Sequence, residues 1–279
     1  MTRDEFDRIL RLWRIKKNVI LQGPPGVGKT FIAKRLAYSL MGFKDDSRLG
    51  MVQFHQSYSY EDFVQGYRPS DNGFSLKSGL FHEFCHRAQT DQDNTYVFVI
   101  DEINRGNLGK IFGELLMLIE ADKRGAAWSV PLTYSPNSQE QFYVPPNLFL
   151  LGMMNTADRS LSMVDYALRR RFGFVTLGSR IGSEGFTRLH KDRGTPEAVL
   201  TAIISRMAGL NEEIERDTSN LGPGFCIGHS FFCPADRVIS DEDWYRQVVE
   251  AEILPLLEEY WFDFPDKVHG WRERLLAEV

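Results

Sequence analysis

The feature that most constrains this chain is the segment Gly23-Pro24-Pro25-Gly26-Val27-Gly28-Lys29-Thr30, which fits the pattern G-x-x-x-x-G-K-[ST] of a phosphate-binding loop (P-loop). The apolar stretch before it, at 18–22, predicts a short buried strand, and the apolar spacing at 31–40 predicts a helix. Strand, loop and helix in this order let backbone N–H groups surround a phosphate. Lys29 is expected to reach the β- and γ-phosphates, and the Thr30 hydroxyl to bind Mg²⁺. A glycine-rich turn without a ligand is the alternative, and these flanks disfavour it. The sequence therefore predicts a nucleoside triphosphate site.

A second apolar run, at 96–100, ends in two carboxylates. Its aromatic and β-branched residues are typical of a buried parallel strand, and Asp101 and Glu102 follow directly. Asp101 is expected to hold Mg²⁺, and Glu102 to accept a proton from the water that attacks the γ-phosphate. Most Asp-Glu pairs are solvated, but the position of this one after a buried strand and downstream of a P-loop favours the catalytic interpretation.

A third buried strand is predicted at 148–152, and a polar segment follows it. Asn155 would lie beside the acidic pair and could hydrogen-bond the attacking water or the γ-phosphate, as at the sensor I position of AAA+ proteins. A helix N-cap by Asp158 or Ser160 is compatible with this role. The order Asn-Thr-Ala-Asp is also similar to the guanine-reading N-K-x-D of small GTPases, although the Lys is missing.

Three consecutive arginines, Arg169, Arg170 and Arg171, end the next predicted helix. Successive helical residues turn by about 100°, so the three cannot share one task. In ring-forming P-loop ATPases an arginine at this place reaches the γ-phosphate of the neighbouring subunit. Favourable interaction with the helix dipole is the alternative. We expect Arg170 to be the arginine finger.

The remaining pattern predicts an α/β fold, a P-loop domain at residues 1–178 whose parallel sheet is flanked by helices, followed by a small helical lid domain at 179–279. Other predicted elements are helices at 4–16, 79–90, 107–121, 164–171, 196–216 and 241–260, a helix start at 59–63, strands at 51–55 and 172–177, a hairpin at 66–78 and a β excursion at 126–144. The glycine-rich stretch at 228–232 either approaches the nucleotide or forms a buried loop, and the sequence leaves both open.

Composition excludes several classes of function. The net charge of −5 provides no broad basic field for nucleic acid. Three cysteines without a C-x-x-C pair indicate a reducing compartment, and no apolar run approaches a membrane span or a signal peptide. We expect a cytoplasmic protein that does not bind a membrane. His55, His82 and His86 show no metal-binding pattern, and no cluster of nuclease type is visible.

The chain resembles one family from about residue 4 to its C-terminus. The segments GPPGVGKT, VQFHQSYSYEDFVQGYRP, IDEINRGN, DKRG, WSVPLTY, MNTADRSLSMVDYALRRRF, IGHSFF and PLLEEYWF are similar to the AAA+ GTPase domain of McrB, the motor subunit of restriction systems that attack DNA with modified cytosine. The resemblance implies a hexameric ring, GTP with Mg²⁺ in preference to ATP, and a McrC-type partner that stimulates hydrolysis and supplies the nuclease. It assigns Lys29 and Thr30 to phosphate and Mg²⁺, Asp101 and Glu102 to the acidic pair, Asn155 and Asp158 to the signature loop, and Arg170 to the finger.

The family usually carries an N-terminal DNA-reading domain, which has no counterpart in this sequence. The chain is therefore expected to be either a motor-domain fragment or a short variant that recruits its reader separately. DNA is expected in the full complex and is bound weakly, if at all, by this chain alone. Two alternatives to a motor stay open: a nucleotide-gated assembly switch with slow hydrolysis, and a MoxR-like ATPase chaperone.

Overall fold

The computed structural model describes residues 1–71, 73–135, 141–158, 166–235 and 238–278. The chain forms two compact units, each composed of several segments. The first unit comprises Met1–Gln22, Lys29–Met154 and Asp158–Thr176, and the second comprises Gly23–Gly28, Asn155–Ala157 and Leu177–Val279. The P-loop segment before Lys29 is thus grouped with the C-terminal part of the chain. The domain boundary placed at residue 178 stays a prediction.

A parallel sheet of five strands organises the first unit, as predicted. The described residues form seven strands in all, five in this sheet and two in a separate hairpin. They are β1 (Asn18–Gly23), β2 (Leu49–Gln53), β3 (Gln65–Ser70), β4 (Gly73–Ser78), β5 (Tyr96–Asp101), β6 (Leu148–Asn155) and β7 (Gly173–Thr176). The large sheet has the order β2-β5-β6-β1-β7, and β3 pairs with β4 in a separate antiparallel hairpin. In the sheet, Tyr96 lies opposite Leu148 and Val19 opposite Gly173. The P-loop leaves β1, where strand order reverses, and that is where open α/β sheets bind ligands.

The central strands β1, β5 and β6 consist mostly of apolar residues because they are buried on both faces of the sheet. Residues 96–100 of β5 and the first six residues of β6 are all buried. A cluster of phenylalanines packs beside β5, in which the rings of Phe63 and Phe81 stack with centroids 4.7 Å apart and the ring of Phe98 meets Phe81 edge-on at 5.1 Å. Burial on both faces produces a continuous apolar run rather than an alternating one. This is the pattern by which β1, β5 and β6 were predicted.

Seven helices belong to the first unit within the described residues. They are α1 (Arg3–Lys16), α2 (Lys29–Met41), α3 (Tyr60–Phe63), α4 (Leu80–Thr90), α5 (Leu108–Phe112), α6 (Leu115–Leu118) and α7 (Tyr166–Arg171). A capping box between Thr2 and Glu5 begins α1. The prediction of one helix at 107–121 is wrong. Gly113, at φ 50°, separates α5 from α6, and a Cβ there would lie 3.1 Å from the Tyr60 ring.

The excursion predicted at 126–144 is less regular than expected. Its described residues hold a 3₁₀ turn at Ala126–Trp128 and a single antiparallel bridge between Val130 and Phe142. Residues 136–140 lie outside the described part of the chain, as do the first two residues of the helix predicted at 164–171.

The second unit is built from helices. They are α8 (Glu184–Asp192), α9 (Glu197–Arg216), α10 (Glu242–Val248), α11 (Leu254–Tyr260) and α12 (Pro265–Leu275). A π-helical turn at Val249–Ile253 joins α10 to α11, so the helix predicted at 241–260 is continuous but not uniformly α-helical. Neither α8 nor α12 was predicted from the sequence. Trp261 is fully buried and donates from Nε1 to Asp217 Oδ2 at 2.9 Å.

Among the described residues, no helix combines the length and apolar character needed to cross a membrane.

Candidate nucleotide-binding site

The P-loop begins where β1 ends and gives way to α2 at Lys29. Gly26 and Gly28 have φ of 73° and 74°, a left-handed conformation that glycine adopts at no steric cost. The first turn of α2 carries no acidic side chain of its own, and the positive end of a helix dipole favours a bound anion. Backbone and helix are therefore suited to an anion such as a phosphate.

In the first unit, Lys29 lies near the acidic pair. Burial lowers the pKa of Lys29 to about 8, and the charges of Glu102 and Asp101 act in the opposite direction. A partly desolvated ammonium of this kind gains from a bound anion, so Lys29 fits the phosphate role predicted for it. Thr30 is the next residue of the helix and is exposed.

Asp101 ends β5, and the chain turns sharply at the next residue. Asp101 Oδ1 accepts the Glu102 N–H at 3.0 Å, and Glu102 has φ 49°. A left-handed backbone is uncommon for a residue with a side chain and is found preferentially at functional sites. The turn follows directly on Asp101, at the carboxyl edge of the sheet. The division of roles between the two residues, with Asp101 on the metal and Glu102 on the water, stays a prediction.

Arg105 connects two of the predicted catalytic residues. Its Nε lies 3.3 Å from Glu102 Oε2, and its Nη2 lies 3.1 Å from Asp158 Oδ2. Both carboxylates are largely buried, while 45% of the Arg105 side chain is exposed. Arg105 was not identified from the sequence, although its place three residues after Glu102 was a usable signal. The ion pair with Arg105 restricts the orientation of the Glu102 carboxylate.

In the second unit, the residues after β6 are tied to the P-loop. β6 ends at Asn155, and the next residue, Thr156, donates its N–H to the carbonyl of Gly23 at 3.1 Å. The Thr156 hydroxyl donates to the carbonyl of Gly224 at 2.9 Å. Thr156 thus joins the segment that contains Asn155 to the start of the P-loop and to a 3₁₀ turn at Pro223–Phe225. No role for Thr156 was evident from the sequence.

The stretch at 228–232, whose position the sequence left open, lies against the P-loop. Gly228 donates its N–H to the carbonyl of Pro25 at 3.1 Å, and Ser230 donates its N–H to the carbonyl of Gly26 at 2.8 Å. A Cβ on Gly26 would lie 2.4 Å from the Phe231 ring. We call residues 228–232 the lid loop. Its bonds occupy two P-loop carbonyls, which stabilises this backbone in one conformation.

The three consecutive arginines have different surroundings. Arg171 donates from Nε to the carbonyl of Leu116 at 2.6 Å, and its Nη2 pairs with Glu120 at 2.9 Å. Arg169 lies over the ring of Phe174, with 5.9 Å from its guanidinium carbon to the centroid. Arg169 and Arg170 are both exposed. Arg171 therefore has a structural role, and the finger assignment to Arg170 stays a prediction.

The donor set for a metal is small. Among the residues that the structure describes, no three His, Cys, Asp or Glu side chains converge on a possible metal position. Mg²⁺ beside a nucleotide is usually held by one or two protein oxygens, by the phosphates and by water. Thr30 and Asp101 provide oxygens of the type that Mg²⁺ prefers, so their chemistry suits the predicted ion.

Comparison with known proteins gives a consistent assignment. The family model for the AAA domain (dynein-related subfamily) matches residues 18–172, more than half of the chain. The model for the alpha-helical lid domain of McrB matches residues 202–269.

Two restriction proteins are similar to this chain. The type IV methyl-directed restriction enzyme EcoKMcrB subunit of Escherichia coli strain K12 is 52% identical over 275 residues, which cover 98% of this chain and 60% of the relative. The type II restriction enzyme BsuMI component YdiS of Bacillus subtilis strain 168 is 25% identical over 199 residues, which cover 58% of this chain and 57% of the relative. The chain thus spans 60% or less of the length of these relatives.

Proposed function

Because this chain belongs to the AAA domain family and carries a lid of the McrB type, we propose that it is the GTP-hydrolysing motor of a McrB-type restriction system. Membership of the AAA family implies hydrolysis of a nucleoside triphosphate. The preference for GTP, a hexameric ring, a McrC-type nuclease partner and translocation along DNA are further parts of the proposal. The observation that carries it is the 52% identity to the E. coli restriction subunit across 98% of this chain.

The described side chains suit the hydrolytic step. Lys29 is half-buried and fits the binding of phosphate oxygens, and the Glu102 carboxylate is oriented by Arg105 to accept a proton from water. Asp101 and Thr30 would supply oxygens to Mg²⁺, which would neutralise phosphate charge. Asn155, at the end of the strand beside β5, is proposed to hydrogen-bond the same water or the γ-phosphate.

The first test compares Glu102→Gln with the parent chain. The substitution removes the base but keeps the side-chain volume, so GTP binding is expected to be unchanged while hydrolysis falls about 10²-fold or more. Glu83→Gln, on the exposed face of α4, is a matched control with parental turnover expected. Turnover of Glu102→Gln within about threefold of the parent would contradict the role of Glu102.

Nucleotide preference and partner dependence separate the proposed motor from its alternatives. GTP and ATP turnover are measured side by side, with and without a McrC-type subunit and DNA. Preferred GTP and strong stimulation by partner with DNA support a motor. ATP binding equal to or tighter than GTP would reject the guanine assignment and favour a chaperone. Ring formation with a non-hydrolysable analogue at unchanged low turnover would favour an assembly switch.

The ring is tested by mixing two inactive chains. Arg170→Ala is expected to bind GTP normally and to hydrolyse it at least about tenfold more slowly, because arginine fingers contribute about 10³–10⁵ in rate. Lys29→Ala loses its own phosphate contact but retains Arg170. Mixed rings should therefore regain part of the GTP hydrolysis. Activity is expected at interfaces where the Arg170→Ala chain supplies the nucleotide site and the Lys29→Ala chain supplies the arginine. Mixed rings that form yet stay inactive would exclude Arg170 as the finger and leave exposed Arg169 as the next candidate.

A further inference from the structure

The lid loop approaches the P-loop so closely that one of its residues has to be glycine. A Cβ on Gly228 would lie 2.0 Å from the carbonyl carbon of Gly26 and 2.5 Å from the Pro25 oxygen. Two backbone hydrogen bonds hold the loop at this distance, from Gly228 to Pro25 and from Ser230 to Gly26. His229 lies between Gly228 and Ser230, the two residues that donate these hydrogen bonds. The backbone of His229 therefore has little freedom beside the P-loop.

The hydrogen bonding of His229 defines which nitrogen faces the P-loop as a donor. Nδ1 accepts the N–H of Arg180 at 3.2 Å, so the proton of the neutral ring is on Nε2. Burial lowers the pKa of His229, which favours this neutral form. Nε2 lies 3.7 Å from the position of a Cβ on Gly28. Among the described residues, no acceptor is hydrogen-bonded to Nε2.

Gly28 is the residue before the P-loop lysine, where backbone N–H groups bind the α- and β-phosphates. A side-chain N–H beside Gly28 faces the same region. We propose that His229 is a nucleotide-binding residue of the lid, whose Nε2–H donates to a non-bridging oxygen of the α- or β-phosphate. The proposal rests on the proposed nucleotide-binding function and adds a residue outside the P-loop motif. The contact is independent of the base and of the γ-phosphate.

Two conservative substitutions separate a nucleotide contact from a structural role. His229→Gln can place an N–H where Nε2 lies, whereas His229→Asn can replace only Nδ1 as the acceptor for Arg180. If His229 contacts phosphate, His229→Asn binds GDP about ten- to one-hundred-fold more weakly than the parent, as expected for loss of a hydrogen bond to a charged group. His229→Gln stays within about threefold of the parent. GTP, in the absence of turnover, shows the same loss as GDP.

The measurement is calorimetric titration of the full chain with GDP and with ADP, together with thermal melting of every variant. Ser230→Ala is the matched control, because the bond to Gly26 comes from its backbone N–H, and parental binding is expected. Binding losses by the same factor for each nucleotide that the parent binds support a phosphate contact.

The opposite ranking would overturn the proposal. If His229→Asn binds as the parent does while His229→Gln binds weakly, His229 acts through Arg180 and not on the nucleotide. Parental binding by both variants would overturn it as well. If the melting temperature of His229→Asn is lowered, its weaker binding could come from misfolding, and His229→Gln then decides the test. Weak GDP binding by His229→Gln at the parental melting temperature rejects the contact. A parent chain that binds no nucleotide would instead reject the proposed function on which this inference rests.

Discussion

Gly228→Ala adds one methyl group at the closest approach of the lid loop to the P-loop. Gly228 has φ −77° and ψ 161°, an extended conformation that alanine also adopts, so the substitution adds no backbone strain. The new Cβ would lie 2.0 Å from the Gly26 carbonyl carbon, whereas contacting carbon atoms are about 3.5–4.0 Å apart. Because the atoms it meets are backbone, no side-chain rotation can relieve the overlap. The lid loop has to withdraw by about 1.5 Å or more.

Withdrawal by this distance breaks both backbone hydrogen bonds that hold the lid loop, at 3.1 Å to Pro25 and 2.8 Å to Gly26. A typical intramolecular hydrogen bond contributes about 0.5–1.5 kcal/mol, so the expected loss in the free energy of unfolding is about 1–3 kcal/mol. The Pro25 and Gly26 carbonyls would also lose their partners, and the P-loop would become less well ordered before nucleotide binds. We therefore expect weaker GDP binding in addition to lower stability.

The assay is denaturant unfolding together with calorimetric titration of GDP. Gly185→Ala is the matched control, because Gly185 lies in α8 and a Cβ there meets nothing within 4 Å. Replacing a helical glycine by alanine is expected to stabilise the chain by about 0.5–1 kcal/mol. If Gly228→Ala unfolds at the parental denaturant concentration and binds GDP as the parent does, the lid loop does not support the P-loop as described.

Two further predictions concern Arg105 and His190. Arg105→Ala removes the partner that orients Glu102. Because the Arg105 side chain is 45% exposed, the free energy of unfolding should change by less than about 1 kcal/mol. GTP turnover is expected to fall about tenfold or more, while GTP binding stays unchanged. Parental turnover by Arg105→Ala would show that the ion pair does not orient the base. His190 is fully buried, and burial lowers its pKa below the unfolded value of 6.5. The folded state therefore favours the neutral ring, which contributes its full stabilisation above about pH 6.5. This stabilisation is lost as the pH falls from 6.5 through the lowered pKa. His190→Gln should reduce the slope of unfolding free energy against pH below 6.5, and an unchanged slope in denaturant titrations at several pH values would contradict this assignment.

Local patterns in the sequence were sufficient for the elements of the nucleotide site. The P-loop has a fixed spacing, and β1, β5 and β6 are buried on both faces, so each appears as an apolar run that ends at a polar residue. The order of strands and helices then predicted the parallel sheet and the helical lid. Asp101, Glu102 and Asn155 are predicted as site residues because each follows the end of a predicted strand, and the structure places Asp101 and Asn155 at the ends of β5 and β6.

The tertiary structure alone decided which residues meet across large separations in the chain. Thr156 bonds Gly224, 68 residues away, and the lid loop bonds Pro25 and Gly26 through backbone groups that every residue type possesses. Such contacts leave no periodic pattern, because a backbone N–H places no constraint on the side chain that carries it. Gly228 is the one position in these contacts where the residue type is constrained, because a Cβ there would meet the P-loop backbone. That constraint is visible only once the neighbouring backbone is known. Local periodicity therefore determined the elements of this protein, and packing between distant segments determined how the lid loop meets the P-loop.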